Sequence, residues 1–336
     1  MAEAPERNLG LDLARVTETA ALMAARFQGR GDKEAADQAA VDGMRLILEH
    51  VDIDGVVVIG EGEKDEAPML ANGERVGTGR GPKLDVAVDP LDGTTLTANG
   101  QPGAVSVIAL SDSGTMYSPG SLVYMDKIAV GPEAAGTIEL DAPVAHNLAQ
   151  VAKAMEKSIE DVTAIILQRP RNDKFIDAVR AAGARIRLIQ DGDVAASIAT
   201  AIENSGIDIL FGIGGSPEAV LSAAALKCLG GDIQCRLWPR SEAEEAYALE
   251  TGRDITSVLT HTDLVNSDNV YFAATGVTDG EWLSGVQFRG SQVITESMVM
   301  RSKTGAIRRM SARHDLSKLR KISALISEQP TTDIQE

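Results

Sequence analysis

The stretch AVDPLDGTT, residues 87–95, decides how the chain is read. An apolar run from Leu84 to Val88 ends abruptly at Asp89, and Pro90, a second acid (Asp92), Gly93, Thr94 and Thr95 follow. The run reads as a buried strand, and Pro and Asp-Gly are turn residues. A turn explains the backbone. A metal site would explain why two acids and two hydroxyls stand at the end of a buried strand. On this stretch alone both readings stay open.

Outward from it, the chain alternates helix and strand. Leu9, Leu13, Val16, Ala20, Met23 and Phe27 recur at helical spacing, which predicts a helix over 9–28. GRG at 29–31 breaks it, and Asp32 is placed to N-cap a second helix running to about His50. Strands are predicted at Val56–Ile59, Leu84–Val88 and Val105–Leu110, and a helix at about 146–156 joins two halves. The second half reads strand at Ala164–Leu167, helix at Asn172–Ala182, strand at Arg185–Ile189 and helix at Val194–Ile202. A strand at Ile207–Phe211 and a helix from Pro217 to about Leu229 follow. This alternation predicts an α/β protein with helices layered on sheets. We expect an N-terminal half, 1–150, and a C-terminal half, 151–336.

Bulk properties narrow the function. With 336 residues, 44% of them hydrophobic, the chain can bury a large core, and with 3% aromatics Ala, Val, Ile and Leu must fill it. A net charge of −17 excludes a general nucleic-acid binder, which needs a basic surface. A phosphorylated ligand would have to meet clustered Arg and Lys or bound metal. Cys228 and Cys235 belong to no CxxC and read as ordinary buried thiols. No apolar run approaches the roughly 20 residues of a membrane span, and MAEAPERNLG lacks a signal-peptide pattern. These features predict a cytoplasmic protein without membrane partners.

Five acidic or glycine-rich junctions fall at strand ends or helix starts: GRGDKEAAD (29–37), GEGEKDEAP (60–68), DPLDGTT (89–95), DGD (191–193) and GIGGSPEA (212–219). Singly, each has a plain reading as a turn or a solvated charge run. Together, with few His or Cys nearby, they describe hard oxygen ligands suited to Mg²⁺ or Mn²⁺. Clustered carboxylates repel, by roughly 4 kcal/mol for two charges ~4 Å apart at an effective dielectric of 20, so cations or raised pKa values are expected. Arg169 and Arg171 flank Pro170 just after a strand. They form either an exposed turn or a pair of forks able to grip a phosphate. Gly214 and Gly215 precede a helix start that favours an anion.

DPLDGTT resembles the DP[IL]DGT signature of the lithium-sensitive, metal-dependent phosphatases. RVTETAAL (15–22), GRGDK, VVIGEGEKDEAPML (57–70), AVDPLDGTT, KIAVGP (127–132), DGDVAASI (191–198), GIGGSPE and ATGVTDG (274–280) resemble, in one order, the class II fructose-1,6-bisphosphatases. The resemblance covers about 9–315. It implies a layered αβαβα sandwich of the sugar phosphatase or inositol monophosphatase type, and a gluconeogenic activity removing the C1 phosphate of fructose 1,6-bisphosphate with Mg²⁺ or Mn²⁺. Asp37 and Glu61 resemble ligands of one metal, and Asp89, Asp92 and Glu218 those of a second. Thr94 resembles the hydroxyl that helps position or deprotonate the attacking water, with Glu63 and Asp65 resembling supporting or water-orienting carboxylates. Asp92, Gly93 and Thr94 resemble the loop at the scissile phosphate. Tyr124, Arg169, Pro170, Arg171, Asp191, Gly192, Asp193 and Gly215 resemble sugar-bisphosphate contacts, although Tyr124 reads equally as a core residue. A homodimer or homotetramer is implied. The rival readings are a dual enzyme that also takes sedoheptulose 1,7-bisphosphate, an inositol-phosphate phosphatase, and a non-catalytic sugar-phosphate sensor. One stretch fits none of these roles. Residues 301–321 hold eight Arg or Lys against Asp315, and read as a final strand and helix with a solvated basic face.

Overall fold

The computed structural model describes residues 8–60 and 70–322. The helical spacing at the start gives α1 (Gly10–Ala24), which ends in a 3₁₀ turn at Ala25–Phe27. Asp32 N-caps α2 (Lys33–Leu48) as expected, its Oδ1 accepting from the Ala35 N–H at 2.9 Å. In chain order the remaining helices are α3 (Thr94–Ala98), α4 (Val144–Ala154), α5 (Asp173–Ala181), α6 (Asp193–Ala199), α7 (Ser216–Leu229), α8 (Glu242–Glu250), α9 (His261–Leu264) and α10 (Leu316–Ile322). The strands run from β1 (Asp54–Ile59), β2 (Arg75–Val76), β3 (Lys83–Asp92) and β4 (Val105–Asp112) to β5 (Tyr124–Val130), β6 (Thr163–Leu167) and β7 (Arg185–Ile189). Then come β8 (Ile209–Gly215), β9 (Asp232–Leu237), β10 (Leu259–Thr260), β11 (Tyr271–Gly276), β12 (Gln287–Arg289), β13 (Gln292–Arg301) and β14 (Ala306–Asp315).

They form two mixed sheets. One has the order β12-β13-β11-β4-β3-β1-β2 with β14 on β13, and the other is β10-β9-β5-β8-β6-β7. The sheets are not cut at residue 150. β5 pairs with β8 and β9 in the second sheet, whereas β11 to β14 return to the first.

Side-chain alternation along the strands makes five layers. On β4, Ile108 and Leu110 face α1 and α2, while Val105, Val107 and Ala109 face α6 and α7. On the second sheet, Met125 of β5 and Leu210 of β8 face that same middle layer. Ile128, Val130, Ile209 and Phe211 face α4 and α5 on the far side. Helix, sheet, helix, sheet, helix is the αβαβα sandwich that the sequence resemblance implies. Small residues make the middle layer thin: Ala219, Ala223, Ala224 and Ala225 of α7 are fully buried between the sheets.

Cys228 and Cys235 are free and buried, and burial pushes both thiols up to about 12, so they stay neutral. The basic stretch forms the outer strand β14 and the start of α10, with Arg309 pairing Glu296. No helix among the described residues is long and apolar enough to cross a membrane.

Candidate active site

Three strand-to-helix junctions meet between the sheets. β3 runs into α3 through Gly93, β7 into α6 through Gly192, and β8 into α7 through Gly215. At the first, Pro90 brings no N–H to the ladder, and the β3–β4 register slips between Asp89 and Asp92. The bulge turns the strand end into a loop, in which Asp89 Oδ1 accepts from the Leu91 N–H at 3.1 Å. Gly93 then takes φ 103°, and a Cβ there would lie 3.0 Å from that of Ala104, so only glycine fits.

The first two junctions cap each other's helices. Asp92 Oδ2 accepts from the Ala195 N–H at the start of α6 at 2.9 Å. Asp191 Oδ2 accepts from the Thr95 N–H at the start of α3 at 3.0 Å. Neither helix has a side-chain cap from its own N-cap glycine, so each free amide end is satisfied by the aspartate of the other junction. This exchange fixes the DGT and DGD loops against one another.

Lys127 anchors the third junction. It lies on the same face of β5 as Met125 and Ala129, pointing into the middle layer, and is 1% exposed. Its Nζ is 2.5 Å from Asp193 Oδ2 and donates to the Gly215 carbonyl at 3.1 Å. A Cβ on Gly214 would strike Asp193 Oδ2 at 1.9 Å, which is why β8 carries glycine beside the pair. Burial alone would depress the Lys127 ammonium. Asp193 and then Glu218 outweigh it, and the pKa is raised.

Among the described residues, Asp193 and Glu218 share the buried Lys127 ammonium, and Asp92 and Asp191 add their charges to the same cluster. Burial, then Asp193, with Asp191 and Glu218 behind it, pushes Asp92 well above the usual carboxylate range. Burial and Asp193 push Glu218 up to about 7. Glu218 folds back over the helix start, so that a Cβ on Gly215 would meet its Oε2 at 1.7 Å, and that Oε2 is buried without a hydrogen-bond partner. Among the described residues no three His, Cys, Asp or Glu side chains form a ready metal cage. The donor chemistry nonetheless fits a hard divalent cation: carboxylate oxygens, one of them unpartnered, in a site where burial and neighbouring acids raise the Asp92 and Glu218 carboxyls.

The opposite end is cationic. Arg171 donates from Nε to the Ile213 carbonyl at 2.9 Å, and its Cζ sits 4.3 Å from the Tyr124 ring centroid. Tyr124 is half-buried and also packs edge-on against Trp238 at 6.3 Å, so it is a wall of the cleft and not a core residue. Asn172, fully buried, clamps the turn that carries the arginines by bonding Leu167 and both backbone groups of Ile213. Acid and arginine ends face one cleft of about 360 Å³.

Of the residues expected from the sequence, Asp92, Asp191, Gly192, Asp193, Gly215 and Glu218 line its acidic end, and Tyr124, Arg169 and Arg171 the other. Gly93 and Thr94 follow directly on Asp92 at the start of α3, and Pro170 opens the 3₁₀ turn Pro170–Asn172. Asp37, in the second turn of α2, and Asp89 are half-buried and outside the lining. Glu61, Glu63 and Asp65 lie outside the described residues. The two threonines separate cleanly. Thr95 Oγ1 accepts from Lys33 Nζ at 3.1 Å, while the Thr94 hydroxyl makes no hydrogen bond among the described residues. Sequence reasoning missed Lys33, Lys127 and Arg240. Arg240 lines the arginine end, with Cζ 5.4 Å from the Tyr124 centroid. A lysine inside an otherwise apolar strand, YMDKIAV, is the signal that could have exposed Lys127.

Fold and cleft together define a layered αβαβα sandwich of the sugar phosphatase type. The profile of the family described as bacterial fructose-1,6-bisphosphatase, glpX-encoded, matches residues 7–314. The chain is 46% identical over 325 residues to the fructose-1,6-bisphosphatase 1 class 2 of Escherichia coli (strain K12), covering 93% of this chain and 96% of that protein. It has the same identity and coverage against the fructose-1,6-bisphosphatase class 2 of Shigella flexneri. The chain belongs to the bacterial, glpX-encoded fructose-1,6-bisphosphatase family.

Proposed function

We propose that the protein hydrolyses the C1 phosphate of fructose 1,6-bisphosphate to give fructose 6-phosphate. Family membership supports the reaction, and the two-ended cleft carries the assignment of its parts. A bisphosphate brings roughly four negative charges near neutral pH, into a chain of net charge −17. The arginine end, with Arg169 and Arg171, supplies cations for the distal phosphate. The acidic end, with Asp92 and Glu218, supplies ligands for divalent cations and takes the reacting phosphate. A monophosphate substrate would leave the arginine end without a purpose.

Asp89, Asp92 and Glu218 would hold one Mg²⁺ or Mn²⁺, and Asp37 and Glu61 another. Such ions, when bound, neutralise the phosphate oxygens, lower the pKa of water and stabilise the departing alkoxide. The chain's own groups do the rest. Thr94, whose hydroxyl makes no hydrogen bond among the described residues, aligns the attacking water, with Asp65 or Glu63 orienting it. The reciprocal capping by Asp92 and Asp191 holds Gly93 and Thr94 at a fixed distance from the DGD loop, so the reacting phosphate meets a rigid surface. Asp191 and Asp193 offer acceptors to the sugar hydroxyls, although Asp193 is already committed to Lys127 on one oxygen. We place the enzyme in the cytoplasm as a homodimer or homotetramer.

The test is phosphate release from fructose 1,6-bisphosphate, sedoheptulose 1,7-bisphosphate and inositol 1-phosphate, each with Mn²⁺ and with EDTA. Fructose 1,6-bisphosphate should give the highest kcat/KM, and EDTA should abolish turnover. Preference for the inositol ester, or turnover that survives EDTA, contradicts the assignment.

A further inference from the structure

On the reading that this cleft binds fructose 1,6-bisphosphate, we propose that Arg240 is a third arginine for the distal phosphate, and that Glu244 is the residue that positions it.

Arg240 lies between β9 and α8, far in sequence from the Arg169–Arg171 turn, yet its guanidinium reaches the same phenol ring as that of Arg171. Two guanidinium groups drawn to one ring repel each other unless an anion comes between them. The local sequence explains how Arg240 is held. Ser241-Glu242-Ala243-Glu244 starts α8 in the Ser-x-x-Glu pattern, and Ser241 accepts from the Glu244 N–H at 3.3 Å. Glu244 then reaches back one residue further than a capping box requires. Its Oε2 accepts from the Arg240 N–H at 2.7 Å, and its Oε1 from Nε at 2.7 Å and from Nη2. One carboxylate thus grips both the backbone and the side edge of the same arginine.

A guanidinium has two bidentate edges. Glu244 occupies the Nε side of Arg240, and among the described residues Nη1 makes no hydrogen bond, so the outer edge stays open to an incoming anion. Arg171 is tied in a like way: its Nε is held by the Ile213 carbonyl, and no bond among the described residues uses its outer nitrogens. Both arginines are tethered through Nε at the cleft wall, which leaves two forks around Tyr124 with little ordering left to do on binding. Glu244 makes a charged contact to Arg240 and none to the cleft, so it acts through Arg240.

The experiment uses the full-length enzyme with two readouts. The first is KM and kcat with fructose 1,6-bisphosphate and with fructose 1-phosphate, which lacks the distal phosphate. The second is calorimetric binding of fructose 6-phosphate, which carries only the distal phosphate and needs no turnover. Losing one charge-assisted fork should cost roughly tenfold or more. Arg240→Ala should therefore raise KM for the bisphosphate and Kd for fructose 6-phosphate about tenfold, with kcat and the fructose 1-phosphate KM within about twofold. Arg240→Lys should recover only part. Glu244→Gln keeps an acceptor for the backbone N–H but loses the charge, and should raise the same two constants about threefold. The double variant Arg240→Ala/Glu244→Gln should be no worse than Arg240→Ala. Unchanged fructose 6-phosphate binding in Arg240→Ala overturns the inference, as does equal loss on fructose 1-phosphate. Tighter binding in Glu244→Gln would make Glu244 a competitor for Arg240 and overturn its positioning role. A wild type that binds fructose 6-phosphate through Arg240 but does not hydrolyse the bisphosphate would overturn the proposed function alone.

Discussion

Replacing Lys127 by methionine removes, among the described residues, the buried cation of the acidic end and keeps the length of the side chain. Lys127 and Asp193 are 1% and 8% exposed and 2.5 Å apart. Without the ammonium, Asp193 faces Asp92 and Glu218 with no partner, and the Gly215 carbonyl loses its donor. Breaking a buried pair from one side costs about 3–5 kcal/mol, against a total stability of roughly 5–15 kcal/mol for a folded protein. The loss is a large fraction of that total. The assay is equilibrium urea unfolding in EDTA at pH 7.5, followed by circular dichroism. Lys127→Met/Asp193→Asn should recover at least about 2 kcal/mol relative to the sum of the single variants, because both ends of the pair are then neutral. A single-variant loss under about 1 kcal/mol at pH 7.5, or strict additivity, would refute the buried-pair reasoning.

Other outcomes follow from the same geometry. Thr94→Ala should lower kcat by roughly 10²-fold or more while KM stays within a few-fold, since the hydroxyl acts on water; a raised KM at constant kcat would make it a binding group and bring Thr95 forward. Arg171→Ala should raise KM for fructose 1,6-bisphosphate about tenfold and spare fructose 1-phosphate, with Arg171→Lys intermediate; equal loss on both esters removes the distal-phosphate role. Glu218 keeps its proton up to about 7 in the fold, against 4.5 for an ordinary glutamate. The folded metal-free protein thus binds more protons between those values, and its stability should fall as pH rises through that window. Urea midpoints in EDTA at pH 5 and 7.5 measure this, and Glu218→Gln should flatten the slope. A wild-type midpoint no lower at pH 7.5 than in Glu218→Gln, relative to pH 5, would contradict the assignment.

How much of this was legible in the sequence depends on which force dominates at each position. Periodicity exposed α1, α2, β3, β4 and the β6–α7 alternation because there the apolar pattern is the packing. β5 escaped notice because Asp126 and Lys127 interrupt it, and Lys127 is stabilised by an acid 66 positions away. Of the strands that return to the first sheet, β14 was legible as the final basic strand, whereas β11 to β13 escaped because a long-range pairing such as Phe272 with Ala109 and Met300 leaves no local mark. The acidic junctions were legible as Asp-Gly motifs at strand ends. That Asp92 and Asp191 cap each other's helices was not, since neither loop contains its own partner. Arg169 and Arg171 stand out beside Pro170, whereas no local motif marks Arg240, which only the fold brings to Tyr124.

The central claim is that the acidic end carries out the chemistry while the arginine end holds the other phosphate. Following the ³¹P resonances of fructose 1,6-bisphosphate with enzyme and diamagnetic Mg²⁺ tests it directly. The account predicts that the C1 phosphate signal is lost and that inorganic phosphate and fructose 6-phosphate grow in together. Accumulation of fructose 1-phosphate, or loss of both signals at one rate, would contradict it.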